Sequence, residues 1–303
     1  MGEVFYWIFN MSLTASFFGL LVLPLRKLKR IPRRFSVLLW IVPFVRMCVP
    51  IGLNSPYSLM SFLSRFTTKT VTVYQPTENV GFSMMNSVMA ADAYFPITYK
   101  VPIFSRVFAS AAWVWLTGSA VILITLIRVY VKTTRELRGA KALGSNVYRS
   151  EKVRSPAVYG VFRPRIVLPE CCGKEALRYI LLHERAHIRR KDNLWRLFGL
   201  FAAAVHWFNP LAWLFLKLFL TDLELACDET ALSGLSDGER RGYARALLSG
   251  AENKSAVASA FGGADLRTRI SHIVTYRRVT AASATGFAAL LAALLYTTLT
   301  NAG

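Results

Sequence analysis

Charge is scarce in this chain of 303 residues, and negative charge scarcer still: 18% of residues are charged, with 17 Asp+Glu against 37 Lys+Arg. A soluble domain of this size carries about a quarter charged residues, so an ordinary water-soluble globule is excluded, and disorder, collagen and coiled coil go with it. Cysteine is confined to Cys48, Cys171, Cys172 and Cys227, with no C-x-x-C pair. That leaves no disulfide framework and no zinc knuckle. Histidine occurs only at 183, 187, 206 and 272. No internal repeat or low-complexity tract interrupts the chain. The first apolar run, Val4 to Leu23, lacks the preceding positive charge and small-residue cleavage site of a secretory signal, so it reads as a retained span.

What is present is apolar and basic at once: 54% hydrophobic residues, mean hydropathy +0.37 and a formal net charge of +20. A nucleic-acid binder needs no surplus apolar surface, whereas a multi-span membrane protein places basic residues at the ends of its spans. The positive charge clusters there, which favours anionic lipid over direct nucleic-acid contact. Val4–Leu23 is followed by the basic block Arg26 to Arg34, which puts the N-terminus outside. Phe35 to Leu53 reads as a second span. Its interior Arg46 is either a functional group by default or a side chain that snorkels or meets a neighbouring span. The loop over 54–105 is poor in Lys and Arg and lies outside by the same rule. Val107 to Val129 is a third span. Arg128, Lys132, Arg135, Arg138 and Lys141 then hold the next region in the cytoplasm. Val279 to Leu299, after Arg277 and Arg278, returns the C-terminus to the outside.

The expected plan is therefore a membrane region over 1–129, a cytosolic domain over 130–278 and a last span over 279–303. Within the cytosolic domain, Asn146 to Pro169 alternates short β-prone runs with turn residues and predicts two or three strands. From Lys174 the pattern is helical, with Leu177, Ile180, Leu181 and Ile188 on one face.

That helix contains His183-Glu184-Arg185-Ala186-His187. Histidines at i and i+4 share a helix face, so both imidazoles can reach one zinc ion, and Glu184 beside them can take a proton from an attacking water. A catalytic zinc needs a third protein ligand, and no histidine follows at short range. The helix-prone run Thr221 to Glu229 offers carboxylates instead. Glu224 and Asp228 lie at i and i+4 on one face, one as ligand and the other orienting a ligand histidine; spacing does not choose between them. Asp222 and Glu229 fall on other faces and are expected to be solvated. A single crossing over Trp195–Leu220 would put the histidines and Glu224 on opposite sides of the membrane. The halves are short for full spans, and Asn209-Pro210 is a turn signal. A re-entrant or interfacial helical hairpin over 195–220 resolves this, with His206 structural at its tip. The strand ending at Arg165–Leu168 either accepts an extended substrate peptide at its edge or is an internal hairpin strand.

H-E-R-A-H, W-F-N-P, E-L-A-C-D-E and the run S-P-x-x-x-G-x-x-x-P-x-I-x-L-P over Ser155–Pro169, in their observed combination, resemble the BlaR/MecR antirepressor family of membrane metallopeptidases across the whole chain. The resemblance implies a mainly α membrane protein with a gluzincin-like α+β peptidase domain. It implies one zinc held by His183, His187 and Glu224, with Glu184 as general base. It also implies a signalling pathway in which a winged-helix transcriptional repressor is lost and the peptidase cuts itself; a homodimer is compatible with it. The flexible stretch 253–263 is the candidate self-cleavage region, centred on Ser259, Ala260 and Phe261, with a plain linker as the alternative. In the family a β-lactam-binding sensor domain follows the last span. Here the sequence reaches Gly303 without that domain's S-x-x-K motif, so sensing is expected through the 54–105 loop or a partner, or the chain is cut short. Two other readings share the chemistry: a membrane-protein quality-control peptidase, and a non-catalytic receptor or scaffold that has no need of a base beside its metal.

Overall fold

The computed structural model of the chain describes residues 2–27, 32–49, 54–55, 102–153, 155–170, 174–251, 265–276, 280–299 and 301–302. Most of the 54–105 loop, Cys171 and Cys172, and the Ser259–Ala260–Phe261 candidate lie outside these residues.

Among the described residues, two helices are long and apolar enough to cross a membrane: α1 (Gly2–Arg26) and α4 (Pro102–Glu136). Half of the α1 window is buried inside the protein, against 17% for α4, whose Trp113, Val114, Ile124 and Ile127 face outward. The expected second span is not one helix. It forms α2 (Arg33–Leu39) and α3 (Ile41–Cys48), broken at Trp40. Pro43 has no N–H to give to the carbonyl four residues back, which is why the ladder fails there. Arg46 is buried in this bundle at 3% exposure. The last apolar helix, α10 (Ala281–Leu299), packs its Phe287 against Phe35 with ring centroids 4.8 Å apart. The two-residue strands β1 (Asn54–Ser55) and β6 (Asn301–Ala302) pair in parallel.

A four-stranded sheet follows α4: β2 (Lys141–Gly144), β3 (Val147–Arg149), β4 (Ala157–Tyr159) and β5 (Arg165–Leu168), in the order β2-β3-β5-β4. Strand β5 is internal, parallel to β3 on one side and antiparallel to β4 on the other. Its Ile166, Val167 and Leu168 are buried, and the outermost strand on this side of the sheet is β4. Gly160 turns β4 into β5 at φ +91°, where an added Cβ would lie 2.8 Å from the Arg163 carbonyl oxygen.

The described residues hold five further helices: α5 (Lys174–Arg190), α6 (Asp192–Val205), α7 (Pro210–Leu232), α8 (Asp237–Ala251) and α9 (Leu266–Val274). Lys191, at φ +57°, ends α5 and turns the chain into α6. Helices α6 and α7 form the expected hairpin. Asn209 starts α7, its side chain accepting from the Leu211 N–H at 2.9 Å with Pro210 in the first turn, a strong helix start. The same side chain donates to the Ser12 and Ser16 hydroxyls of α1, both at 2.7 Å. His206 at the tip bonds the Met47 carbonyl at 3.0 Å, a structural role. The main core lies where α1, α2, α3, α6, α7 and α10 meet, around Trp40, Phe44, Phe215 and Phe219. A smaller core of Leu232, Leu235, Tyr243 and Ile273 joins α7, α8 and α9.

Candidate metal centre

Helix α5 presents His183, Glu184 and His187 inward, at 7%, 7% and 5% exposure. Their buried side is the inner face of a helix whose Arg185 is exposed. The two Nε2 atoms lie 3.2 Å apart, close enough to share one ion. Each ring is held from its other nitrogen. His187 Nδ1 lies 2.7 Å from Asp192 Oδ2, which the turn at Lys191 brings back toward the end of α5. His183 Nδ1 lies 2.8 Å from the Tyr243 hydroxyl and 3.2 Å from Asp228 Oδ1. Tyr243 in turn donates to Asp228 at 2.6 Å. Fixing the distal nitrogen sets ring orientation and leaves Nε2 free as a donor to metal.

Helix α7 brings Glu224 to the same point. Its Oε2 is 3.6 Å from His183 Nε2 and its Oε1 is 3.7 Å from His187 Nε2. Arg196 of α6 bonds Oε1, and Arg269 Nη1 of α9 stands 3.7 Å from Oε2. Arg269 also grips Asp228 through both carboxylate oxygens, at 2.8 and 2.6 Å. Its Nη2 is nearly equidistant from the two ring nitrogens of His183, 3.5 and 3.3 Å. The Arg269 guanidinium therefore stands against the His183 ring. Cys227 is the remaining donor: its Sγ lies within 4.8 Å of a ring nitrogen of each histidine. That sulfur is 3.6 Å from His183 Nδ1, the nitrogen already engaged, and donates to the His183 carbonyl at 3.3 Å.

The pocket is built for positive charge. Burial alone would lower His187, yet Cys227, Glu224 and Asp192 together raise it to about 9. His183 is likewise raised against its burial, chiefly by Cys227 and Tyr243, with Arg269 opposing. Burial pushes Glu224 and Asp228 upward, but the adjacent cations win and hold both well below the usual carboxylate range. Two imidazoles, a carboxylate and a thiol converging in such a field are a donor set that suits a divalent metal of the zinc type. Glu184 stands beside it without being needed as a donor. Tyr159, at the end of the β4 edge, is close enough that after burial the Glu184 charge is the next influence raising its phenol.

Glu224 and Asp228, which spacing alone could not separate, both face the site from α7. Asp222 and Glu229 are not solvated: they are 0% and 4% exposed. Asp222 receives Arg26 Nε at 2.6 Å and Trp40 Nε1 at 2.9 Å. Glu229 accepts the backbone N–H groups of Arg33 and Arg34 at 2.8 and 3.0 Å, capping α2, and meets His272 Nε2 at 3.3 Å. The carboxylates on those other faces bind the basic block that follows α1, and this contact is what buries them. Sequence reasoning also missed Asp192, Arg196, Cys227, Tyr243 and Arg269. Asp192, five residues past His187 at the head of a new helix, carried a local signal. Tyr243 and Arg269 carried none.

A family model described as BlaR1 peptidase M56 matches residues 6–273. The chain is 32% identical to the regulatory protein BlaR1 of Bacillus licheniformis over 128 residues, 41% of this chain and 21% of that protein. It is 28% identical to the methicillin resistance mecR1 protein of Staphylococcus aureus over 103 residues, 33% of this chain and 18% of that protein. The matched segment thus spans about a fifth of each relative's length.

Proposed function

The chain belongs to the BlaR1 peptidase M56 family, and from that premise we propose that it is a membrane-embedded zinc metalloendopeptidase of a signalling pathway. His183, His187 and Glu224 hold one zinc, Asp228 orients His183, and Glu184 is the general base. One observation carries the reading: two Nε2 atoms 3.2 Å apart, their distal nitrogens held by Asp192 and by Tyr243 with Asp228, facing the Glu224 carboxylate. Cys227 is the poorer third ligand, because its sulfur stands on the engaged side of His183.

Zinc in this site supplies Lewis-acid polarisation of a carbonyl and a more acidic water. Glu184 accepts the proton of the attacking water and passes it to the departing amine. Arg196 keeps Glu224 ionised and aimed, and the α9 guanidinium fixes the plane of His183.

The peptidase domain over 130–278 lies on the cytosolic side of the bacterial cytoplasmic membrane. The N-terminus, the 54–105 loop and the C-terminus of the span over 279–303 lie outside, and α6–α7 re-enters from the cytosolic face. Substrates are a cytosolic repressor of the winged-helix class, the chain itself within 253–263, or both, in response to an extracellular signal such as a β-lactam or other cell-wall stress. The relatives' names, a regulatory protein and a methicillin resistance protein, support that assignment. Expression with a C-terminal tag tests it: blotting is expected to reveal a fragment that Glu184→Ala abolishes. A fragment that survives Glu184→Ala contradicts self-cleavage. Purified chain that binds zinc yet leaves casein intact contradicts the peptidase.

A further inference from the structure

The turn joining β4 to β5 holds the most exposed large apolar side chain among the described residues, Phe162, at 89% exposure. A phenyl ring in water on a rigid turn calls for an explanation, and this turn is rigid. Gly160 is fixed at φ +91°, Pro164 closes the other side, and Asn193 Nδ2 of α6 donates to the Gly160 and Val158 carbonyls at 2.7 and 3.3 Å. Asn193 therefore ties the turn to the root of the hairpin.

The level of that root can be counted. Asn209 at the hairpin tip bonds Ser12 and Ser16 of α1. From there to Arg26, where the basic block begins, α1 rises ~15–21 Å at 1.5 Å per residue. From His206 back to Asn193, α6 rises ~20 Å from the tip by the same measure. Asn193, and with it Phe162, stands at the height of Arg26, where the apolar run of α1 gives way to cations. Below the turn the outer side of α6 continues the apolar surface through Leu194, Leu197 and Phe201, 39%, 51% and 47% exposed. Exposed cations occur at Arg163 and Arg165, next to the turn in the chain, and at Arg189 and Lys191, where α5 ends; the Arg165 guanidinium lies 5.3 Å from the Tyr148 ring centroid.

We propose that the Gly160–Pro164 turn inserts Phe162 into the cytosolic leaflet and that the four cations bind anionic headgroups around it. This rests on the membrane placement of the hairpin proposed above. An aromatic ring together with Arg and Lys at the end of an apolar face is the composition of an interfacial anchor. Each cation near an anionic surface adds to the attraction.

Photo-crosslinking of the full chain tests this. p-Benzoylphenylalanine replaces Phe162, or Phe201 on α6, or Leu143 on the far strand β2, in phosphatidylcholine discs with and without phosphatidylglycerol. Lipid adducts are expected at 162 and 201, several-fold above those at 143, with the yield at 162 rising when phosphatidylglycerol is present. Adducts at 201 with only the background of 143 at 162 overturn the insertion and leave the hairpin placement intact. No adducts at 201 overturn the membrane placement itself, and the proposal with it. Crosslinks from 162 to a second protein chain overturn it in favour of an interface between copies.

Discussion

Helix α7 begins and ends in different company. Its first turns, at the hairpin tip, are held by close packing and by small polar groups. Phe215 lies where a Cβ on Gly19 would be 2.1 Å away, Trp207 presses on Gly118, and Asn209 joins two serines. Its last three turns carry Asp222, Glu224, Asp228 and Glu229, all but Glu224 under 5% exposed. Each of the four meets a cation or a capping N–H. On the membrane placement proposed above, there is no hydrophobic drive between helices at the tip, and association there rests on close approach and shared hydrogen bonds. Next to water, charges can be buried if each is matched. On that placement the tip sets depth, and the base holds the proposed chemistry.

Substitutions at Glu184, Asp228, Gly19 and Asn209 break or sharpen that contrast, in descending order of effect. At the base, Glu184→Gln should lower proteolysis by about 10²–10⁴-fold, the usual worth of a positioned general base, with zinc content and melting temperature unchanged. Loss of zinc in this variant would make Glu184 a ligand instead. Asp228→Ala strands the Arg269 guanidinium and removes the support of His183; breaking a buried pair in this way costs about 3–5 kcal/mol. The milder Asp228→Asn should fold and weaken zinc binding by about 10–100-fold, read by competition with a chelating dye. At the tip, Gly19→Ala forces a methyl into the Phe215 ring and should destabilise by about 1–3 kcal/mol, as measured by thermal unfolding in detergent. Phe215→Leu added to it should restore part of the loss. Asn209→Ala should cost about 0.5–2 kcal/mol through the lost helix start. Neither tip variant should alter zinc affinity; a tip change that does would join the two regions into one unit.

The sequence was most informative where the signal was local. Histidines four apart on an amphipathic run and an Asn-Pro turn between two short apolar halves each depend on neighbours in the chain, and each is present. The apolar spacing of α5 marked only a half-buried face: Leu177, Ile180, Leu181 and Ile188 are each partly exposed, and the buried positions are His183, Glu184, Ala186 and His187. Partners far apart in the chain left no trace. Asp222 and Glu229 read as solvated because the cations and amides that bury them lie 195–196 residues away. Arg269, 41 residues from Asp228 and 86 from His183, had no spacing to betray it. The sheet edge could not be chosen, since which strand is outermost depends on the parallel β3–β5 pairing and not on strand composition. Pro43 was visible throughout, and its consequence, the break at Trp40, was hidden by the continuous hydropathy of the segment.

The central claim is the ligand set, and the zinc content of the detergent-purified chain tests it most directly. Wild type should be compared with His187→Ala, Glu224→Ala and Cys227→Ser. The account predicts about one zinc per chain, lost in His187→Ala and Glu224→Ala and kept in Cys227→Ser. Zinc kept in Glu224→Ala and lost in Cys227→Ser would contradict it and make the thiol the third ligand.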